Sequence, residues 1–414
     1  MTTPVERQPL RAVRTRFLAP DLARGLMLLS IALANVGTAW APGVEGMSAE
    51  SLGGIRDGSV ADKVAVVLGT MFVHVRGLPM FSTLLGFGVG MISLSLLRRG
   101  YPRAEAQKVL ARRYGWLAGF GVIHALFLFY GDIMLSYGLC GLVLTLLIGL
   151  DNKKLMWIAG VLWGAGALLS FPLSLIGRGM SVYIFDSYLD YLGMGGMAIL
   201  TYLIGSPLLL LQLLPPMLVG LLMARMLVLH DVPAHRRGLR VWAGVAVAFI
   251  LLVGLPWGLA TIGVLPGSWA TPLYALNQAA GYVTGPGLVA LIALAAQPAQ
   301  RRLEAEGSLN PVVGALVALG KRSMSGYVGQ SLIFFVVILP FTLNLAEGMG
   351  AAGKSLIACG VWALTLLAAV VLERLGRPGP LERAHRRLSY GKEGLREQWA
   401  PQRQERGEEA SGKC

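Results

Sequence analysis

Long apolar blocks separated by short basic links run through this chain from Leu22 to Leu372. They recur at about 22–40, 60–97, 109–130, 132–150, 154–177, 195–229, 241–264, 277–297, 325–345 and 352–373. Lipid offers no hydrogen-bond partner to a free backbone amide or carbonyl, so the chain crosses a bilayer as helix, with ~20 apolar residues per crossing. The repetition predicts an all-α integral membrane protein. Only 14% of the 414 residues are charged, against about 25% in a soluble protein, too few to cover a water-exposed surface.

Two blocks exceed the length of one straight crossing. Block 60–97 is interrupted at Gly77-Leu78-Pro79, and block 195–229 at Pro207 and at Pro215-Pro216. Counting each as one long, interrupted crossing gives ten transmembrane helices with both termini cytoplasmic. The segments then facing the cytoplasm are 1–20, 98–113, 151–154, 225–240, 298–322 and 374–414, and they hold 30 of the 36 Lys and Arg. Splitting only one block would place basic links outside, against the positive-inside rule. The organisation is a basic cytoplasmic segment at 1–20, a membrane domain at 21–373 and a basic cytoplasmic tail at 374–414. Arg7, Arg11, Arg14 and Arg16 precede an apolar run, and Ala39-Trp40-Ala41 resembles a cleavage site. Leu22–Trp40 is long for a signal sequence, however, and nine more blocks follow, so it reads as the first membrane helix.

The net charge is +14. In a soluble protein that would suggest nucleic acid; here the cations sit in the links, so the expected partner is the lipid bilayer and no nucleic acid. Cys140, Cys359 and Cys414 form no CxxC and no zinc spacing, so neither a disulfide frame nor a metal site is expected.

Candidate site residues are the polar groups inside apolar blocks. A charged side chain at a helix centre costs ~2.5–3.5 kcal/mol on insertion scales, so such residues usually face the bundle interior and mark function. His124, in the third block, is the foremost. Asp132 follows the turn at Gly131 and either caps the next helix or joins the chemistry. Tyr137 lies six residues past that turn, level with His124 at ~10 Å below the outer surface by helical rise. Arg113 is 11 residues before His124, and Arg24 is 11 before Asn35; at 100° per residue each pair falls within ~20° of one face. Asp21 is placed to pair with Arg24, either anchoring the helix end or facing the bundle. His74 and Arg76 lie near mid-membrane. Gly86 and Gly90 have the GxxxG spacing of close helix packing rather than that of a nucleotide loop. Gln212, Asn277-Gln278 and the Ser323–Gln330 stretch, with Tyr327 and Gln330, carry groups that most often bond between helices.

The segments Asp21-Leu22-Ala23-Arg24-Gly25 with Asn35, Phe81–Gly88, His124–Tyr137, Gly320–Ser331 and Gly379–Gly391 follow one another as in a known family. In these the chain resembles the YeiB-like bacterial multipass proteins, domain of unknown function 418. Gly326 stands where the family usually has Asn, and Arg383 and His385 where it has tryptophans; the latter change is expected to alter only surface anchoring. The resemblance implies the bacterial plasma (inner) membrane. It also implies a remote similarity to the transmembrane acyltransferase superfamily, which includes heparan-α-glucosaminide N-acetyltransferase and the acyltransferase-three proteins.

Three functions compete. The first is transfer of an acyl group from a cytoplasmic donor to an outer-face acceptor. Acyl-CoA would be the co-substrate, with no bound cofactor. His124 with Asp132 and Tyr137 would be catalytic, and Arg24, Asn35, Arg76, Arg113, Tyr327 and Gln330 would bind donor and substrate. The second is a transporter or exporter of a small or lipidic molecule, to which broken helices and buried polar groups are equally suited. The third is a non-catalytic scaffold in which these residues only join helices.

Overall fold

The computed structural model describes residues 17–41, 53–176 and 185–399. The segment before Phe17, with its four arginines, and the tail beyond Trp399, with Cys414, lie outside the described residues, as does Arg178.

The described residues are helical and contain no strand. The first half comprises α1 (Leu18–Asn35), α2 (Val60–Phe72), α3 (Gly77–Arg98), α4 (Arg103–Phe127), α5 (Met134–Leu147), α6 (Asn152–Ile176), α7 (Tyr188–Ile204) and α8 (Ser206–Arg225). The second comprises α9 (Arg236–Phe249), α10 (Leu255–Thr261), α11 (Ala270–Ala280), α12 (Thr284–Ala295) and α13 (Gln297–Glu306). It ends with α14 (Pro311–Lys321), α15 (Ser323–Ile338), α16 (Ala351–Arg374) and α17 (Pro380–Tyr390).

Seven stretches among these are long and apolar enough to cross a membrane: Leu18–Trp40, Val60–Arg98, Asn152–Ile176, Ser206–Arg225, Arg236–Thr261, Gly267–Ala295 and Ala351–Arg374. Three of the ten expected crossings fall short for different reasons. The first half of α4 carries Arg103, Glu105, Lys108, Arg112 and Arg113. Helix α5 has 14 residues, about 21 Å of rise. The ninth block, 325–345, is helical only as far as Ile338, where the 16-residue α15 ends.

Both long blocks are broken, each in its own way. Between α2 and α3 the chain leaves the helix at Val73–Arg76, with Val75 in the left-handed region at φ 57°. The carbonyls freed there are met by Arg76, which donates to Met71 at 3.0 Å, Val75 at 3.1 Å and Thr70 at 3.4 Å. Its guanidinium also lies 5.4 Å from the Phe249 ring centre. A cation at a helix C-terminus offsets the negative end of the dipole, which explains how an arginine 1% exposed is held in the bundle. In the other block the break falls at Gly205, with Pro207 in the first turn of α8, while Pro215 and Pro216 lie inside an unbroken helix.

Helix α3 lies along α8 at close range. A side chain at Gly86 would strike the Met217 carbonyl, and one at Gly220 the Thr83 carbonyl. Small residues at such a crossing let backbones approach, which is what the GxxxG spacing predicts. The arrangement recurs where Gly25 of α1 meets the Leu316 carbonyl and Gly320 of α14 meets that of Asp21.

One end of the bundle collects the basic links. Arg225 donates to the Ile148 and Leu150 carbonyls at 2.6 and 2.7 Å, tying the end of α8 to the α5–α6 turn. Arg322 donates to Glu373 at 2.6 Å, tying the α14–α15 break to the end of α16. Helix α17 docks at this end. Glu382 accepts from the amides of Met324 and Ser325 at 2.8 and 3.0 Å and from the Ser325 hydroxyl, capping α15 from another segment.

Candidate functional site

The turn joining α4 to α5 is the centre of the site. His124 sits in the last turn of α4, and both Leu128 and Phe129 donate to its carbonyl. Asp132, 0% exposed, follows in the turn. One of its carboxylate oxygens accepts from the Leu135 amide at 2.8 Å, so it does close the start of α5. The other lies 2.7 Å from His124 Nδ1. The cap expected from the sequence is present, and the second oxygen of the same carboxylate pairs with His124. A carboxylate accepts, so Nδ1–H donates and Nε2 carries the lone pair. Nε2 is buried and has no hydrogen-bond partner.

Two other segments cover this turn. Past Asn35, α1 continues through a wider π-turn at Val36–Trp40, which lays Trp40 over Phe129 with ring centres 4.6 Å apart. Tyr130 donates to the Ala39 carbonyl at 2.5 Å, and Tyr191 of α7 to that of Leu128 at 2.8 Å. Two long-range elements thus roof the hairpin.

Two cavities flank it. The first, about 360 Å³, opens toward the basic end; Arg24, Gly88, Arg113, Tyr137, Tyr327 and Glu382 are among its walls. The second, about 330 Å³, lies toward the opposite end; Asn35, His74, Asp132, Ser136, Tyr202 and Gln278 are among its walls. Ile31 and Ile133 belong to both walls, so the barrier between the cavities is thin and apolar.

The expected residues divide accordingly. Arg24 faces the basic-end cavity and pairs with Asp21 at 3.2 Å. Arg113 faces it too and donates to the Tyr390 hydroxyl at 3.1 Å. Tyr137 lines it while donating to the Leu78 carbonyl at 2.8 Å. Asn35 and Asp132 face the other cavity. Arg76 and Gln330 line neither; Arg76 holds the α2–α3 break, and Gln330 donates to the Leu28 carbonyl at 3.3 Å, joining α15 to α1. His124 also lies behind the walls rather than in them. It reaches the basic-end cavity through Tyr327, whose ring centre is 5.1 Å from its own. Among the described residues no group of three or more His, Cys, Asp or Glu is arranged to hold a metal.

Sequence reading missed the contribution of α17. Glu382, His385 and Tyr390 all reach the basic-end cavity. His385, expected only to alter surface anchoring, is buried and donates from Nε2 to the Arg113 carbonyl at 2.8 Å. Burial, with Arg113 beside it, lowers the His385 imidazole from 6.5 to about 4. The available signal was the spacing: 382, 385 or 386, and 389 or 390 share one helical face.

No curated protein matches the chain. Residues 223–392 match a family described as protein of unknown function (DUF418). That stretch contains Tyr327, Gln330, Glu382 and His385 and excludes His124 and Asp132. The described chain is thus all-helical, with apolar helices suited to a lipid bilayer, and is similar to the DUF418 family over residues 223–392.

Proposed function

We propose that this protein transfers an acyl group from a donor in the basic-end cavity to a hydroxyl or amine acceptor in the opposite cavity, in a bacterial plasma membrane with the basic end cytoplasmic. One observation carries the reading: a buried His–Asp pair with Asp132 on the wall of one cavity, His124 behind Tyr327 of the other, and the second imidazole nitrogen unpartnered. Asp132 fixes the tautomer and ring orientation, leaving Nε2 as the base. The acceptor O–H or N–H proton passes to Nε2 as the oxygen or nitrogen bonds to the donor's carbonyl carbon. The carbon–sulfur bond of the thioester then breaks, and the leaving thiolate takes the proton from the imidazolium. Arg24 and Arg113 supply positive charge for an anionic donor such as acyl-CoA. Rotation of Tyr327 would open the imidazole to the donor cavity.

The test is transfer of label from radiolabelled acetyl-CoA in membranes containing the protein. Transfer that is present with the native chain and absent with His124→Ala supports the reading. Equal transfer by both refutes it. A second reading, transport, is favoured by the thin barrier of Ile31 and Ile133, which suits a substrate passing between opposed cavities. Substrate uptake by proteoliposomes without any acyl donor would select it.

A further inference from the structure

At the basic end a second space adjoins the cavity of Arg24 and Tyr327. It is an open groove of about 1000 Å³ between the end of α16 and α17, and it shares Lys321, Glu382 and Arg386 with that cavity. Arg377, Arg383, Arg386, Arg387 and Lys392 line the groove and are exposed. Five exposed cations face three carboxylates there, Glu373, Glu382 and Glu393, and the first two are engaged already. Glu373 is shared by Lys321 and Arg322, each at 2.6 Å. Glu382 is held by the amides at the start of α15. Among the described residues, the side chains of Arg383, Arg386, Arg387 and Lys392 have no ion-pair partner. Unpaired cations thus converge on one concave surface, and its floor leads into a cavity walled mostly by Leu, Ile, Met and Tyr.

Arginine forks match phosphate oxygens and bind them in pairs. An apolar cavity continuous with such a groove accepts the other half of an amphiphile. Gly88 adds an independent observation about that cavity. A side chain built there would meet only the Arg24 guanidinium, at 3.9 Å, so the helix presents open space rather than a packed wall.

We infer that the α16–α17 groove and the adjoining cavity form one binding site for a phosphate-bearing amphiphile, with its anionic head on Arg383, Arg386 and Arg387 and its apolar tail along Leu84, Leu117 and Met134 of the cavity. This rests on the transfer reading and deepens it by assigning the donor's phosphate groups to α17 and its tail to the adjoining cavity. Binding is measured without turnover, so each can fail alone. The same chemistry is offered by a soluble acyl thioester of a nucleotide cofactor and by an anionic membrane lipid.

The test uses the full chain in nanodiscs of phosphatidylcholine, with native mass spectrometry reading retention of palmitoyl-CoA, coenzyme A or dioleoylphosphatidic acid. The native chain should retain one amphiphile about tenfold or more better than coenzyme A lacking the tail. Retention of palmitoyl-CoA identifies a soluble source, and retention of phosphatidic acid a lipid source. The variant R383Q/R387Q/K392Q alters only exposed side chains and should lose about tenfold. K153Q/R237Q/R240Q removes three exposed cations elsewhere and should lose nothing. Gly88→Leu should abolish the advantage of the tail while leaving coenzyme A retention unchanged. The inference is overturned if neither amphiphile is retained, if both charge variants lose equally, or if Gly88→Leu changes nothing.

Discussion

His124 Nδ1 and Asp132 Oδ1 lie 2.7 Å apart, and the other Asp132 oxygen holds the Leu135 amide at 2.8 Å. One carboxylate therefore orients the imidazole and fixes the hairpin that carries it. Asp132→Asn keeps an oxygen for the amide but no longer selects the tautomer with Nε2 free. We expect it to fold normally and to reduce transfer on the order of 10²–10⁴-fold. Asp132→Ala should in addition lose about 1 kcal/mol of stability with the cap. Thermal unfolding beside transfer rate separates the two effects; a normal rate in Asp132→Asn would remove Asp132 from the chemistry.

Much of this site was legible in the sequence, and the reason is cost. A polar group in an apolar block is expensive unless it has a partner, so His124, Arg24, Arg76 and Asn35 stood out with no structure at all. What a partner does was less visible. Arg76 satisfies carbonyls freed by its own helix break, a local device that looks from sequence like a binding residue. The roof over the α4–α5 turn depends on Trp40 and Tyr191, and the cap of α15 depends on Glu382, 57 residues from Ser325. Periodicity within a segment carries no record of contacts between segments. Helix α14 was hidden because Pro311–Lys321 lies within the basic link 298–322.

Glycine positions in α3 should respond in opposite directions. At Gly86 a methyl group meets the Met217 backbone, while at Gly88 it enters open cavity. Gly86→Ala should destabilise the protein by about 1–3 kcal/mol through overpacking. Gly88→Ala should be neutral or stabilising by up to about 1 kcal/mol, since Ala is the better helix former. Thermal unfolding of the purified variants checks the contrast, and equal losses would contradict the close α3–α8 contact.

Docking of α17 should weaken in acid. The His385 imidazole is lowered from 6.5 to about 4 by burial and by Arg113, so the unfolded segment binds the proton more readily than the docked one. Stability from this group is therefore full above 6.5 and falls as pH drops toward 4. Cleavage within α17 by a protease that stays active at pH 4, with its rate normalised to a free peptide, should rise through that window. His385→Gln keeps a donor for the Arg113 carbonyl and removes the titration, so its cleavage should stay level down to about pH 5, above the ordinary range of Glu382. An identical rise in both chains would assign the effect to another group.

Removing the cap on α15 should release the same helix at neutral pH. Glu382→Ala leaves the Met324 and Ser325 amides without their acceptor, at a cost of about 1–2 kcal/mol. Cleavage of α17 should increase while the rest of the membrane domain stays resistant. Loss of resistance throughout would mean that α17 holds the whole bundle together.

The central claim is that His124 joins two cavities opening toward opposite ends of the bundle, and sidedness tests it most directly. Sealed vesicles are prepared with acetyl-CoA labelled in the acyl group only in the compartment facing the basic end. Labelled acceptor is then measured in the opposite compartment. The account predicts product there with the native chain, none with His124→Ala, and a strong reduction with Asp132→Asn. Product at the native level with His124→Ala, or product only on the donor side, would contradict it.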